Sequence, residues 1–114
     1  MSTIIWHNPR CSKSREALAL LEEHGIDARV YKYLEEKPSV LELKGLLEAL
    51  GLDARALMRT KEDLYKELGL AKIEDEDKLI EAMHNHPVLI ERPIVIKDSK
   101  AIIGRPPKLV LDLV

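Results

Sequence analysis

The pattern of apolar and polar residues in the first third of the chain predicts a strand, a helix and a second strand. An apolar run at residues 3–6 is followed by a polar turn, and helical periodicity then continues to Glu23. Residues 28–34 alternate between apolar and polar, which is typical of a half-buried strand. Because strand–helix–strand connections between parallel strands are nearly always right-handed, we expect the helix to start at the carboxyl end of the first strand.

The middle of the chain predicts a series of short helices. Ser39 and Glu42 match a capping box, and Gly51 provides a helix end. Between them lie four leucines with the spacing of one helix face: Leu43, Leu46, Leu47 and Leu50. We interpret this stripe as core packing. Further helical patterns cover residues 53–58, 62–68 and 75–84.

The last third of the chain returns to strand-forming sequence. Residues 93–96 and 101–103 are apolar and flank a turn at Asp98 and Ser99, so they predict a β-hairpin. Residues 109–114 predict a terminal helix with Pro107 in its first turn. The element order predicts an α/β fold: a mixed sheet flanked by helices in a single domain over residues 1–114, with a helical insertion at about residues 37–86.

Composition narrows the class of protein. A chain of 114 residues can bury a hydrophobic core without disulfides or a structural metal, and its single cysteine excludes an internal disulfide. The formal net charge of −2 provides no global attraction for nucleic acid or anionic membrane, so we expect neither as a partner. Without a signal-like segment or a run of membrane-spanning length, we expect a cytoplasmic location. His84 and His86 lack the spacing of a zinc site, so we expect no metal.

The only cysteine, Cys11, lies at the predicted start of the first helix among polar neighbours. Small hydroxyl residues leave backbone N–H groups available there, and Lys13 and Arg15 add positive charge. Both features stabilise an anion and a thiolate alike. A lone cysteine is often a small buried hydrophobe, but these charged neighbours do not suit an apolar core. We therefore predict that Cys11 is a nucleophile beside an oxyanion site.

Four short segments spread along the chain carry a pattern found in a known family. They are residues 7–15 (HNPRCSKSR), 57–59 (LMR), 91–95 (ERPIV) and 104–107 (GRPP). Together they resemble the glutaredoxin-coupled arsenate reductases, in particular a short branch with a single cysteine. The resemblance covers essentially the whole chain. It implies a thioredoxin-like fold with an inserted helical subdomain, and reduction of arsenate to arsenite through a covalent cysteine–arsenic intermediate.

The resemblance also implies roles for individual residues. Cys11 would attack the arsenic, His7 and Ser14 would support its thiolate, and Pro93 would be the cis-proline. Three arginines would hold the oxyanion: Arg59, Arg92 and Arg105. A planar guanidinium suits this task because it offers two donors at once. From the residues alone, these arginines could equally be ordinary surface groups.

The source of electrons implied by the resemblance lies outside the chain. Cys11 has no partner thiol, so a resolving sulfur must come from another molecule. The resemblance implies glutathione as co-substrate and glutaredoxin as protein partner, with no bound cofactor.

Two other classes of protein are alternatives for the same residues. Regulators of the same fold contact RNA polymerase, and those that switch through a disulfide carry Cys-x-x-Cys, whereas the second position here is Ser14. A cysteine-independent, non-catalytic regulator remains the alternative. Phosphatase-like enzymes need Cys-x5-Arg, but the required position holds Ala17. We discount that class.

Overall fold

The chain folds into a sheet unit and a helical unit in the computed structural model, which describes residues 2–114. The sheet unit contains the described residues up to Glu36 together with Arg92–Val114. The helical unit is Lys37–Glu91. The chain thus leaves the sheet unit after its second strand and returns to it just before its third.

The sheet unit is built on four short strands in the order β2-β1-β3-β4. They are β1 (Thr3–Trp6), β2 (Ala28–Tyr31), β3 (Ile94–Lys97) and β4 (Lys100–Ile103). β1 runs parallel to β2 and antiparallel to β3, and β3 and β4 form the predicted hairpin. The helical elements of this unit are α1 (Ser12–Glu23), α2 (Tyr33–Glu36) and a 3-10 helix (Pro107–Asp112). The prediction of a mixed sheet flanked by helices is confirmed.

The core of the sheet unit lies between the sheet, α1 and the terminal 3-10 helix. Five side chains in it are completely buried: Ile5, Ala17, Leu21, Val95 and Val110. Ile5 and Val95 are opposite each other in the β1–β3 register, and α1 packs against the terminal 3-10 helix. Burial of these apolar groups fixes α1 on the sheet and therefore fixes the position of its first turn.

The prediction of one strand over residues 28–34 is wrong beyond Tyr31. The chain turns there into the short helix α2, and Tyr33 is buried with its ring stacked on Trp6 at a centroid distance of 6.1 Å. Val30 is 40% exposed, because β2 is an edge strand. The alternation of apolar and polar residues continues past the end of β2, because the buried aromatic residue that would fit a strand is used in a short helix instead.

The helical unit contains four α-helices and two short 3-10 helices. The α-helices are α3 (Val40–Leu50), α4 (Ala54–Leu57), α5 (Asp63–Glu67) and α6 (Glu76–Asn85). The 3-10 helices are Leu70–Lys72 and Pro87–Leu89. The predicted capping box of α3 is confirmed: the Glu42 N–H donates to Ser39 Oγ at 3.0 Å, and the Ser39 N–H donates to Glu42 Oε1 at 3.1 Å. Gly51 ends α3 with a φ of 69°, which favours glycine.

The arginine of α4 ties together the loops of the helical unit. The Arg55 guanidinium donates to the Tyr65 hydroxyl, to the Leu70 carbonyl at 3.1 Å and to the Ile73 carbonyl. These contacts span up to 18 residues of sequence, so one side chain satisfies polar groups of α5 and of both ends of the 3-10 helix that follows it. None of the helices within residues 2–114 combines the length and apolar character needed to cross a membrane.

Candidate active site

Three strand ends lie side by side at one end of the sheet, and this topology brings the residues of the site together. The last residue of β1, Trp6, pairs with the first residue of β3, Ile94. Ile94 in turn pairs with Ile103, the last residue of β4. The loop that follows β1, the segment that precedes β3 and the segment that follows β4 therefore lie next to one another. These are three of the four segments that carry the resemblance.

Backbone hydrogen bonds fix the loop between β1 and α1. The His7 N–H donates to the Tyr31 carbonyl at 2.9 Å, which extends the parallel pairing beyond the strands. The Cys11 N–H donates to the Asn8 carbonyl at 3.0 Å and closes a tight turn. The Arg15 N–H then donates to the Cys11 carbonyl at 3.0 Å, the first hydrogen bond of α1. Cys11 is thus the N-cap residue of the helix, where backbone N–H groups favour negative charge.

The surroundings of the Cys11 thiol favour its thiolate. The residue is only 8% exposed, and this burial alone would raise its pKa. Hydrogen bonds from the Ser14 N–H and the Arg92 guanidinium lower it, and the net pKa of Cys11 lies below its ordinary value. The positive charge of Arg92 and the Lys13 N–H add to the lowering of this pKa. Such a thiol is a better nucleophile at neutral pH than a free cysteine.

The hydroxyl of Ser14 locks the loop that carries the thiol. Ser14 Oγ lies 2.6 Å from His7 Nδ1 and accepts a hydrogen bond from the Asn8 N–H at 3.0 Å. His7 and Ser14 are both buried. Burial, followed by the charges of Lys32 and Arg15, lowers the pKa of His7, which favours the neutral ring. The predicted supporting residues thus lie beside Cys11, and they hold its loop through one shared oxygen.

Arg92 precedes β3 and Arg105 follows β4, and the two residues lie together at the junction between these segments. The Arg92–Pro93 and Arg105–Pro106 peptide bonds are both cis. Arg105 Nη1 donates to the Arg92 carbonyl at 3.1 Å, so the second guanidinium is held against the backbone of the first arginine. With the Arg92 guanidinium on the Cys11 thiol, the structure brings two of the three predicted arginines together.

Gly104 allows the close approach on which this junction depends. Its N–H donates to the Pro93 carbonyl at 2.8 Å. A Cβ at this position would lie 2.8 Å from Val110 Cγ1 and 3.0 Å from Pro93 Cγ, closer than side chains tolerate. Only glycine therefore fits between the start of β3 and the terminal 3-10 helix without displacing one of them.

Arg59, the third predicted arginine, belongs to the helical unit. Its N–H donates to the Leu89 carbonyl at 2.7 Å. Its guanidinium forms ion pairs with Glu62 at 3.4 Å and with Glu91 at 3.8 Å. Within its own unit Arg59 thus faces two carboxylates, and its role as an oxyanion ligand stays a prediction.

Within residues 2–114, no group of three or more His, Cys, Asp or Glu side chains is placed to hold a metal ion. A cavity of about 230 Å³ is lined by residues 7–10 and by Lys32, Leu34 and Glu35. Lys32 and Glu35 are not among the predicted site residues. The signal that could have indicated them is their place after β2, because the carboxyl ends of parallel strands lie side by side.

The chain is similar in sequence and fold to several known proteins. The ArsC family model matches residues 6–113. An arsenate reductase of Neisseria meningitidis is 58% identical over 104 residues, covering 90% of this chain and 89% of the relative. An arsenate reductase of Escherichia coli is 44% identical over 115 residues, covering 99% of this chain and 82% of the relative. The solved structure of an arsenate reductase from Vibrio cholerae has a TM-score of 0.97 and 57% identity, covering 100% of this chain and 98% of that one. With this match and its mixed sheet of the thioredoxin-like type, the chain belongs to the ArsC family.

Proposed function

We propose that the protein is an arsenate reductase that uses Cys11 as its nucleophile and external thiols as reductants. The observation that carries the proposal is the contact between the Cys11 thiol and the Arg92 guanidinium at the start of α1. Cation and helix start together favour a thiolate and an oxyanion at the same place. The names of the relatives from Neisseria, Escherichia and Vibrio support arsenate as that oxyanion.

The first step is substitution at arsenic. The Cys11 thiolate attacks As(V), an S–As bond forms, and one arsenate oxygen leaves as water after protonation. Negative charge on the remaining oxygens is balanced by the Arg92 guanidinium and the N–H groups of the first turn of α1. Arg105, held against the backbone of Arg92, supplies a second guanidinium. His7 and Ser14 act as positioning residues, since they fix the loop that carries the sulfur.

The reduction itself requires two electrons and two thiols. A glutathione thiolate replaces a second oxygen on arsenic, which leaves as water. A glutaredoxin thiol then attacks the glutathione sulfur, so that a mixed disulfide forms and the bond between the glutathione sulfur and arsenic breaks. The electron pair of that bond stays on arsenic, which becomes As(III). Water displaces Cys11, and arsenite leaves. In total, two thiols give one disulfide and one net water, and Cys11 is regenerated.

The experiment is a coupled assay of arsenate-dependent NADPH oxidation with glutathione, glutathione reductase and glutaredoxin. We expect turnover by the wild-type protein and none by Cys11→Ser, with circular dichroism showing that the variant is folded. Ser99→Ala, in the exposed hairpin turn, serves as the control and should keep its activity. Turnover by Cys11→Ser would contradict the nucleophile assignment. A folded wild-type protein without arsenate-dependent turnover would favour the non-catalytic regulator instead.

A further inference from the structure

The cavity beside the Cys11 loop lies at the carboxyl ends of β1 and β2. One wall is the loop after β1, residues 7–10, and the other is the segment after β2, with Lys32, Leu34 and Glu35. The hydrogen bond from the His7 N–H to the Tyr31 carbonyl holds these two walls together at their base. Crevices at the carboxyl ends of parallel strands are the usual ligand sites of α/β sheets.

The cavity walls carry a specific set of charges. Arg10 and Lys32 are cationic and Glu35 is anionic, and all three side chains are exposed. The Glu35 N–H donates to the Lys32 carbonyl at 3.0 Å, so these two residues share one turn at the start of α2. The Arg10 N–H donates to Asn8 Oδ1 at 3.0 Å, which fixes the backbone of the opposite wall. A complementary ligand would therefore carry two negative charges and one positive charge.

The cavity is joined directly to the nucleophile through the backbone. Asn8 lines the cavity, and its carbonyl accepts a hydrogen bond from the Cys11 N–H at 3.0 Å. The Asn8 N–H donates to Ser14 Oγ. Arg10, on the same wall, is the residue immediately before Cys11. A ligand in the cavity would thus lie beside the loop that presents the reacting sulfur.

We propose that this cavity binds the thiol co-substrate, a peptide thiol with two carboxylates and one ammonium group such as glutathione. Arg10 and Lys32 would receive the carboxylates, Glu35 would receive the ammonium group, and Leu34 would contact the methylene groups. The cavity is smaller than the roughly 300–1,000 Å³ usual for enclosed ligand sites, so part of the tripeptide remains in solvent. This inference rests on the proposed function, because it assigns a binding site to the co-substrate of that reaction.

The first test compares thiols that differ in charge. In a direct assay of arsenite production, which does not require glutathione reductase, Lys32→Gln should lose roughly two- to fivefold more kcat/KM with glutathione than with uncharged 2-mercaptoethanol, as expected for one exposed ion pair. Glu35→Gln should show the same excess loss with glutathione relative to N-acetylglutathione, which lacks the ammonium group. The matched controls are Lys108→Gln and Glu22→Gln, which remove exposed charges elsewhere in the sheet unit and should show no excess loss.

The second test does not depend on turnover. S-Methylglutathione, which has the same charges but no reactive thiol, is titrated into the wild-type protein while amide resonances are recorded by NMR. We expect the largest shifts at the amides of Asn8, Arg10, Lys32 and Glu35. At a ligand concentration that saturates the wild type, Lys32→Gln should show smaller shifts, because it binds the ligand more weakly.

The outcomes of the two tests separate this inference from the proposed function. Turnover with glutathione that responds to Lys32→Gln and Glu35→Gln no more than to the control variants would overturn the cavity assignment and leave the reductase intact. The same holds if S-methylglutathione shifts only amides remote from the cavity. Shifts at the cavity in a protein without arsenate turnover would instead support the cavity and contradict the proposed function.

Discussion

Replacing Gly104 by alanine should destabilise the sheet unit, because the added methyl group has no room. The new Cβ would lie 2.8 Å from Val110 Cγ1, a completely buried core atom group, and 3.0 Å from Pro93 Cγ. Neither neighbour is the end of a long flexible side chain, so the Val110 side chain or the Pro93 ring must leave its packed position. Overpacking of this kind costs about 1–3 kcal/mol of unfolding free energy. For a chain of this size that corresponds to a fall in Tm of about 4–12 °C.

The same substitution in the helical unit provides a matched control. Gly45 lies on the exposed side of α3, and a Cβ there would meet nothing within 4 Å. Gly45→Ala should therefore stabilise the protein by about 0.5–1 kcal/mol, the gain from replacing glycine within a helix. Both variants replace a glycine by alanine, and the expected changes in unfolding free energy have opposite signs.

Urea unfolding measures both effects. The only tryptophan, Trp6, lies in β1, so its fluorescence reports on the sheet unit, while far-UV circular dichroism reports on the helices. Unfolding free energies follow from linear extrapolation. Gly104→Ala should also raise the KM for arsenate, because Arg92 and Arg105 flank the displaced junction. If Gly104→Ala were as stable as the wild type by Trp6 fluorescence, the steric reasoning would be refuted.

Three further predictions follow from the site and from the helical unit. Arg92→Lys should raise the pKa of Cys11 and slow its alkylation at pH 7, because the hydrogen bond from the guanidinium is lost; an unchanged pH profile of alkylation would contradict this. Because the pKa of Cys11 is lowered on folding, the wild type should gain stability relative to Cys11→Ser as the pH rises from below the folded pKa to above the unfolded value of about 8.5, and should lose it as the pH falls. Urea unfolding across this pH range measures the difference, and a constant difference would argue against a thiolate. Arg55→Gln should lower the unfolding free energy, followed by far-UV circular dichroism, by about 1–3 kcal/mol, because the Ile73 carbonyl loses its Arg55 donor and the Leu70 carbonyl keeps only the Ile73 N–H. A loss no larger than that of exposed Arg29→Gln would contradict this.

The elements predicted best are those whose signal is local. The capping box of α3 and the β3–β4 hairpin depend on residues within a few positions of one another, and both form as predicted. The helix start at Cys11 and the Ser14 N–H near its thiol are also local features, since both follow within three residues. Such features follow from spacing and residue type alone.

The features that were missed depend on contacts between distant segments. Tyr33 begins the helix α2 instead of continuing β2, and its ring stacks on Trp6, which lies 27 residues earlier in the sequence. The bond from Arg105 to the Arg92 carbonyl depends on the β3–β4 register. The cavity at Lys32 requires that two strand ends lie side by side. None of these contacts has a signal in the spacing of neighbouring residues, since each depends on how the strands pair.

The hydroxyl of Ser14 also restricts the redox chemistry open to this chain. Ser14 is two positions beyond the residue that follows Cys11, where a dithiol protein would carry its second sulfur. Its oxygen already closes the loop onto His7 and Asn8 at 2.6 and 3.0 Å, and a cysteine sulfur is a longer and weaker acceptor. The residue that keeps the loop in place is thus the one that a dithiol would have to replace. The chain cannot form a protective disulfide of its own under oxidising conditions, so every recovery of an oxidised Cys11 depends on the thiol supply of its surroundings.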